Sequence, residues 1–170
     1  MTSPDNLLIR LPQDQEDYVR ELFAMLEAEG LPKQNQRPHI TLTYAPEMDP
    51  KVIERAREVL PGLFPAQFRR VVTVVFGTKS KQTIAWLLDT SAELGAAARC
   101  LCEANEDGRG QGWIPHLTVG LRIPRKQVPA YMEALDRLTS GHFRPITGEV
   151  AGLWQPRFQK WTPIAPEEPQ

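Results

Sequence analysis

Two copies of one short motif give this chain its clearest capacity for chemistry. Pro38-His39-Ile40-Thr41-Leu42 recurs as Pro115-His116-Leu117-Thr118-Val119, and the copies contain two of the three histidines. Side chains alternate between the faces of a strand, so His and Thr share one face while the aliphatic residues point into a core. Two such strands can place two imidazoles and two hydroxyls around one ligand.

The alternative interpretation is that both copies are ordinary half-buried strands that happen to contain histidine. A single His-x-Thr segment would fit it, because alternation of this kind is common. Recurrence at all five positions, however, has a chance of roughly one in a hundred or less at average composition. The repeat therefore favours a shared functional role.

These residue types permit acid–base chemistry in which the two imidazoles divide the roles. A neutral imidazole can take a proton from water, and a protonated one can give a proton to a departing oxygen. Thr41 and Thr118 can donate hydrogen bonds to a bound anion and stabilise charge as it develops. The motif strands place no Cys, Asp or Glu near the histidines, so we predict no metal and no other cofactor. Which histidine is the acid stays open.

The two motifs resemble those of the 2H phosphoesterase superfamily, in particular its 2′-5′ RNA ligase-like (LigT-like) proteins, the RNA 2′,3′-cyclic phosphodiesterases. The second motif of these proteins typically reads Pro-His-aliphatic-Thr-aliphatic, as here, and the resemblance covers nearly the whole chain. It implies His39 and His116 as the catalytic pair, and Thr41 and Thr118 as phosphate ligands. It also implies a 2′-phosphate product from a 2′,3′-cyclic phosphate end and, as a candidate second activity, a reversible reaction that joins a 5′-hydroxyl to this end to form a 2′-5′ linkage.

The segments that follow the motifs depart from the better-known members. The first motif continues as Thr-Tyr-Ala-Pro, and the second is followed by Gly-Leu-Arg rather than an immediate Ala-Arg. We therefore expect the loops around the cleft to differ. This difference bears on the substrate more than on the chemistry.

Strand alternation extends the candidate site beyond the motifs. Thr43 continues the outward face of the first motif, and Gly120 and Arg122 continue that of the second. Arg122 is a candidate phosphate ligand through paired hydrogen bonds, although a surface arginine at a strand end is an equally good interpretation. Gly120 would leave room for a ligand on this face.

Three aromatic residues flank the motifs or the neighbouring hairpin tip. Trp113 and Tyr44 are candidates for stacking on a base. Core packing is an alternative for Trp113, and it is the preferred interpretation for Phe76.

Composition restricts the class of protein. With 170 residues, 41% of them hydrophobic, the chain can bury a sizeable core, and its net charge of −1 argues against nonspecific coating of nucleic acid. No apolar run approaches the roughly 20 residues of a membrane span, and the polar N-terminus lacks a signal pattern. We expect a cytoplasmic protein, monomeric and without an obligate protein partner. Cys100 and Cys102 support neither a disulfide nor a zinc site.

The hydrophobic periodicity predicts an α+β fold of two related lobes, with mainly antiparallel strands, helices outside and a central cleft. Each motif strand has a helix before and after it, which suggests an internal duplication with an approximate twofold axis. We expect residues 1–162 to form one domain and 163–170 a flexible tail. The predicted strands are 7–11, 38–44, 68–76, 83–89, 115–121, 143–153 and 158–161, and the predicted helices 14–29, 50–60, 91–105 and 127–138.

Three functions remain open. The first is a metal-independent phosphodiesterase acting on 2′,3′-cyclic phosphate ends of RNA or oligonucleotides. The second keeps this chemistry on a small nucleotide, such as ADP-ribose cyclic phosphate or 2′-5′ oligoadenylate. The third is an RNA- or nucleotide-binding protein without useful turnover, against which the two intact motifs argue.

Overall fold

Four α-helices and eight strands make up the described part of the protein. The computed structural model describes residues 3–108 and 112–167. The strands are β1 Asp5–Arg10, β2 His39–Ala45, β3 Ala66–Phe76, β4 Lys81–Thr90, β5 His116–Pro124, β6 Pro145–Gly148, β7 Val150–Gln155 and β8 Lys160–Ala165. The helices are α1 Gln13–Ala28, α2 Pro50–Val59, α3 Ala92–Ala104 and α4 Val128–Leu138. None of the described helices combines the length and the hydrophobicity needed to cross a membrane.

All eight strands belong to one curled sheet, in which every neighbouring pair is antiparallel. The strand order is β6-β3-β4-β5-β2-β1-β7-β8, with the two motif strands at its centre. On one side of the centre β1, α1, β2 and α2 follow one another, and on the other side β4, α3, β5 and α4 do the same. This arrangement confirms the predicted α+β fold with a duplicated unit and a cleft. The two lobes are halves of a single sheet.

One residue pair joins the two halves. Ile40 of β2 lies opposite Leu117 of β5, and this is the only cross-strand pair recorded between these strands in the described part of the chain. Both side chains are fully buried in the core beneath the helices. Each of them is the residue between His and Thr of its motif, so the approximate twofold axis passes through the motifs themselves.

The helices cover the face of the sheet opposite to the histidines. α1 packs against α4, and α2 packs against α3, so each helix pair joins the two halves of the sheet. α2 begins at the predicted cap, where Asp49 accepts a hydrogen bond from the backbone of Lys51 and Pro50 follows. α3 is capped by Ser91, and Gly30, with φ of 84°, follows the end of α1.

Both motif strands carry a bulge one residue after the threonine. β1 pairs Leu7 with Thr43 and Leu8 with Thr41, so Leu42 is the extra residue of β2. β4 pairs with β5 in the same way around Val119, and a second bulge follows before Ile123. An extra residue reverses the alternation of side chains beyond it.

The bulges correct two expectations about the outward face. Thr43 is buried and accepts a hydrogen bond from Asn105 at the end of α3. A Cβ on Gly120 would lie 2.9 Å from the ring of Tyr131 in α4, so Gly120 gives room to a helix and not to a ligand. The prediction that Thr43 and Gly120 lie on the outward face, which assumed strict alternation beyond the motifs, was therefore wrong.

Two boundaries near the C-terminus also differ from the prediction. The strand expected over 143–153 is divided at Glu149, because β6 pairs with β3 and β7 pairs with β1. Residues 163–165, expected at the start of a flexible tail, belong to β8, where Ile164 and Ala165 are buried. Residues 168–170 of that tail, and 109–111 of the glycine-rich loop expected over 106–112, lie outside the described residues.

We predict that Gly120→Ala destabilises the protein by about 1–3 kcal/mol, because the added methyl group has to displace the ring of Tyr131. The matched control is Gly141→Ala, where a Cβ meets nothing within 4 Å and a change within about 0.5 kcal/mol is expected. Urea unfolding of both variants measures the difference. Equal stabilities would show that Gly120 does not face α4.

Candidate active site

Both motif histidines are held by the same local hydrogen bond. Nδ1 of His39 lies 2.7 Å from the carbonyl oxygen of Arg37, and Nδ1 of His116 lies 2.7 Å from that of Ile114. A carbonyl oxygen can only accept, so Nδ1 carries the proton in each ring. Nε2 is then the nitrogen left for a ligand: it accepts a proton in the neutral ring and donates one in the cation.

The proline of each motif explains how that carbonyl is positioned. Pro38 and Pro115 stand between the accepting residue and the histidine. The proline ring restricts its own φ, and it also confines the preceding residue to extended conformations. The carbonyl two residues before the histidine therefore has few orientations available, and the ring is oriented by a local device that both copies share.

The register of the central strands places each threonine beside the histidine of the other motif. When the antiparallel register is extended by one residue on each side of the Ile40–Leu117 pair, His39 lies opposite Thr118 and Thr41 lies opposite His116. All four side chains are half-buried on the open face of the sheet. Neighbouring positions in an antiparallel pair bring side chains within a few ångströms of one another. The structure thus brings together the four residues that the motifs predict.

The surroundings of His39 favour its neutral form. Burial lowers the pKa of His39 below its ordinary value, and the nearby His116 and Arg10 lower it further. The hydrogen bond to the Arg37 carbonyl acts in the opposite direction and is outweighed. At neutral pH His39 is therefore suited to accept a proton.

A cavity of about 190 Å³ adjoins His116 and contains both predicted stacking residues. Trp113 and Tyr44 line it together with Thr41 and Ile114. Trp113 is half-buried against the core, and its indole nitrogen donates to the backbone carbonyl of Thr41 at 2.9 Å. Trp113 therefore has a structural role beside any role in binding, because it connects the start of the second motif to the first motif strand.

Arg122 does not reach its position by the expected alternation. It follows the bulge at Val119 and has a left-handed backbone, with φ of 57°. Arg122 and the preceding Leu121 are both exposed, so exposure does not follow strict alternation here. The parity argument for Arg122 is wrong, and its role as a phosphate ligand stays a prediction.

Several residues of the site come from segments that the motifs do not reveal. Asn6 of β1 donates to the hydroxyl of Thr41 at 3.2 Å, and Arg10 pairs with His39 across the strands. The ring centre of Phe76 lies 5.1 Å from that of His116, so the interpretation of Phe76 as a core residue was wrong. The sequence shows that Asn6 and Arg10 lie on the same face of β1, because they are four residues apart. It does not predict that β1 pairs with β2.

The site contains few candidates for a metal ligand besides the histidines. Within residues 3–108 and 112–167, no group of three His, Cys, Asp or Glu side chains comes close enough together to hold a metal ion.

Comparison with known protein families decides the assignment. The family model described as the 2′-5′ RNA ligase superfamily matches residues 11–155, which include both motifs. The chain belongs to the 2′-5′ RNA ligase superfamily. Membership confirms the resemblance to 2H phosphoesterases that the paired motifs indicated. A comparison with curated proteins gives no significant match.

We predict that both superfamily histidines carry the proton on Nδ1 when neutral, and that His39 titrates below the ordinary value of about 6.5. The carbonyl acceptors fix the tautomer, and burial lowers the pKa. Long-range nitrogen–proton NMR correlations, followed through a pH titration, report both properties. A neutral ring protonated on Nε2, or a His39 midpoint above 6.5, would contradict this description.

Trp113 provides a second test. Trp113→Ala should weaken nucleotide binding tenfold or more, because stacking contributes about 1–3 kcal/mol per base. Trp113→Phe should retain much of the stacking but lose the hydrogen bond to Thr41. Melting temperature and nucleotide affinity are measured for both variants. If Trp113→Ala melts early but binds nucleotide normally once folded, the residue is structural only.

Proposed function

We propose that this protein is a metal-independent phosphodiesterase that opens 2′,3′-cyclic phosphate ends of RNA or oligonucleotides. One observation carries the proposal: two imidazoles held by identical Nδ1–carbonyl hydrogen bonds, with Nε2 left free on the same face of the sheet. Two such groups supply both proton transfers of a phosphodiester hydrolysis, each contributing roughly a hundredfold to ten-thousandfold.

The lowered pKa of His39 supports a role for this residue as the base in the hydrolytic direction. Nε2 of neutral His39 takes a proton from water as its oxygen bonds to phosphorus. The bond between phosphorus and the ribose 3′ oxygen breaks, and protonated His116 gives its Nε2 proton to that oxygen. The product is a 2′-phosphate. In the reverse direction, His116 takes the proton of a hydroxyl and His39 protonates the leaving group.

The two threonines and Asn6 act on the charge of the phosphate. The hydroxyls of Thr41 and Thr118 donate to the nonbridging oxygens, whose charge grows in the transition state. Asn6 donates to the oxygen of Thr41 and so leaves the hydroxyl proton of Thr41 free for the phosphate. Asn6 is a positioning residue in this scheme.

A small nucleotide is the second candidate substrate. The cavities beside His39 and His116 measure about 360 and 190 Å³, the size of a nucleotide and its parts, which supports a compact ligand. Hydrolysis of ADP-ribose cyclic phosphate in preference to a cyclic-phosphate-ended RNA oligomer would favour this alternative. A cytoplasmic location and a monomeric state stay predictions.

We predict that His39→Ala and His116→Ala each abolish hydrolysis while the fold is retained. Thr41→Ala and Thr118→Ala should lower kcat by about tenfold to a thousandfold, the scale for one lost donor to developing charge. Chelator should leave wild-type turnover unchanged. Hydrolysis of cyclic mononucleotides and of a cyclic-phosphate-ended RNA oligomer in chelator measures all five proteins, with circular dichroism as the folding control.

Two outcomes would contradict the proposal. One is near-normal turnover in either histidine variant. The other is loss of activity in chelator that zinc or magnesium restores. Tight nucleotide binding with no turnover of any substrate would instead support a binding protein.

A further inference from the structure

The two halves of the site differ at one pair of equivalent positions. On β1, Arg10 is the cross-strand partner of His39, and on β4, Leu87 is the partner of His116. Direct partners in an antiparallel pair project from the same face of the sheet, so each of these side chains lies beside a motif histidine. A cation therefore flanks His39, whereas an aliphatic side chain flanks His116.

Arg10 is supported by a stack of groups on the first half of the sheet. Its guanidinium carbon lies 3.6 Å from the ring centre of Trp161. The indole in turn lies directly on Gly152, where an added Cβ would come within 2.7 Å of the ring and 2.6 Å of the Thr162 carbonyl oxygen. The absence of a side chain at Gly152 lets Trp161 lie flat, and the indole holds the guanidinium plane over the open face.

Arg10 has no salt-bridge partner within the described part of the protein. Burial and the nearby Arg37 lower its pKa to about 10, against the opposite effect of Glu16, so it remains a cation at neutral pH. No carboxylate among residues 3–108 and 112–167 forms a salt bridge with Arg10. Arg37, by contrast, is paired with the buried carboxylate of Glu16 at 2.9 Å. A half-buried, oriented guanidinium without a carboxylate is suited to a ligand anion.

A cavity of about 360 Å³ opens at this cation. It runs from His39 to Arg10 and Arg37, and its remaining walls are formed by Asn6, Leu8, Gln36 and Trp154. It thus offers two guanidinium groups beside an apolar floor and an indole. The corresponding surface at His116 offers the ring of Phe76 and the aliphatic side chain of Leu87 instead.

We propose that the cavity at Arg10 binds a second phosphate group of the substrate while the cyclic phosphate lies between the histidines. The inference rests on the proposed function and narrows its substrate class to nucleotides that carry at least two phosphates. Because a cation stands at Arg10 and an aliphatic side chain at Leu87, the substrate can bind the nearly symmetric site in one orientation, with its second phosphate on the His39 side. The second phosphate can be a 5′-phosphate, an internucleotide phosphodiester or the diphosphate of an ADP-ribose-type nucleotide.

A series of substrates tests this on the wild-type protein. Adenosine 2′,3′-cyclic phosphate is compared with the same nucleotide bearing a 5′-phosphate, with a dinucleotide ending in the cyclic phosphate, and with ADP-ribose cyclic phosphate. Charge-assisted hydrogen bonds predict that a second phosphate raises kcat/KM by about tenfold to a hundredfold. The member with the largest gain identifies the source of the phosphate. No gain in any member would overturn the inference.

Variants of Arg10 test whether this residue causes the preference for a second phosphate. In Arg10→Met, which keeps an unbranched side chain on Trp161, the ratio of kcat/KM between substrates with and without the second phosphate should fall toward one. Arg10→Lys should give an intermediate ratio, because the charge remains and the planar stacking is lost. The control is Arg137→Met, which removes an arginine of α4 that is paired with Glu29 and should retain the wild-type ratio. Assays at pH 8 keep His39 neutral in every protein.

A binding measurement separates failure of this inference from failure of the proposed function. Calorimetry compares adenosine 2′-phosphate with adenosine 2′,5′-bisphosphate, neither of which needs turnover. Tighter binding of the bisphosphate by about tenfold or more, lost in Arg10→Met, supports the subsite even if no cyclic phosphate is hydrolysed. Equal binding of the two ligands, with hydrolysis intact, overturns the subsite and leaves the phosphodiesterase standing.

Discussion

The pairing of Ile40 with Leu117 is the contact on which the site depends. It is the point where the two halves of the sheet meet, and both side chains are fully buried beneath the helices. Because strand neighbours point to opposite faces, burying these two residues turns His and Thr of both motifs to the open side. Because the strands are antiparallel, the same pairing crosses the motifs, so each threonine faces the other histidine. One apolar contact thus sets the position of four polar groups.

Around this contact, orientation is supplied locally. In each motif the backbone carbonyl two residues before the histidine receives the Nδ1 proton, and the intervening proline restricts the backbone that presents it. The bulge after each threonine is also repeated, and it turns Thr43 toward α3 and Gly120 toward α4. The duplication therefore includes more than the five motif residues. In both copies the strand pairs regularly through His and Thr, and a β-bulge follows directly after the threonine.

Departures from the duplication are as informative as the repeat. A symmetric pair of histidines on a symmetric surface would have no basis for dividing acid and base roles. Burial together with the charges of His116 and Arg10 lowers the pKa of His39, so the environment distinguishes two residues that the motif makes alike. Arg10 enters this environment because β1 is the outer neighbour of β2, while the equivalent strand β4 presents Leu87 to His116.

The motif strands, the shared face of the two His and Thr pairs, the α+β class and the superfamily were predictable from the amino-acid sequence. They follow from local patterns: alternation within a strand, helical periodicity, caps such as Asp49-Pro50, and the recurrence of five residues. Which strands are neighbours depends on the complete fold, and so does the position of Asn6 and Arg10 near His39 and Thr41, and of Phe76 beside His116. The bulges could not be predicted from the sequence either, because a residue of one strand is extra only by comparison with the strand that pairs with it. Thr43 and Gly120 were misplaced for that reason, and the strand expected over 143–153 was divided because its partner changes at Glu149.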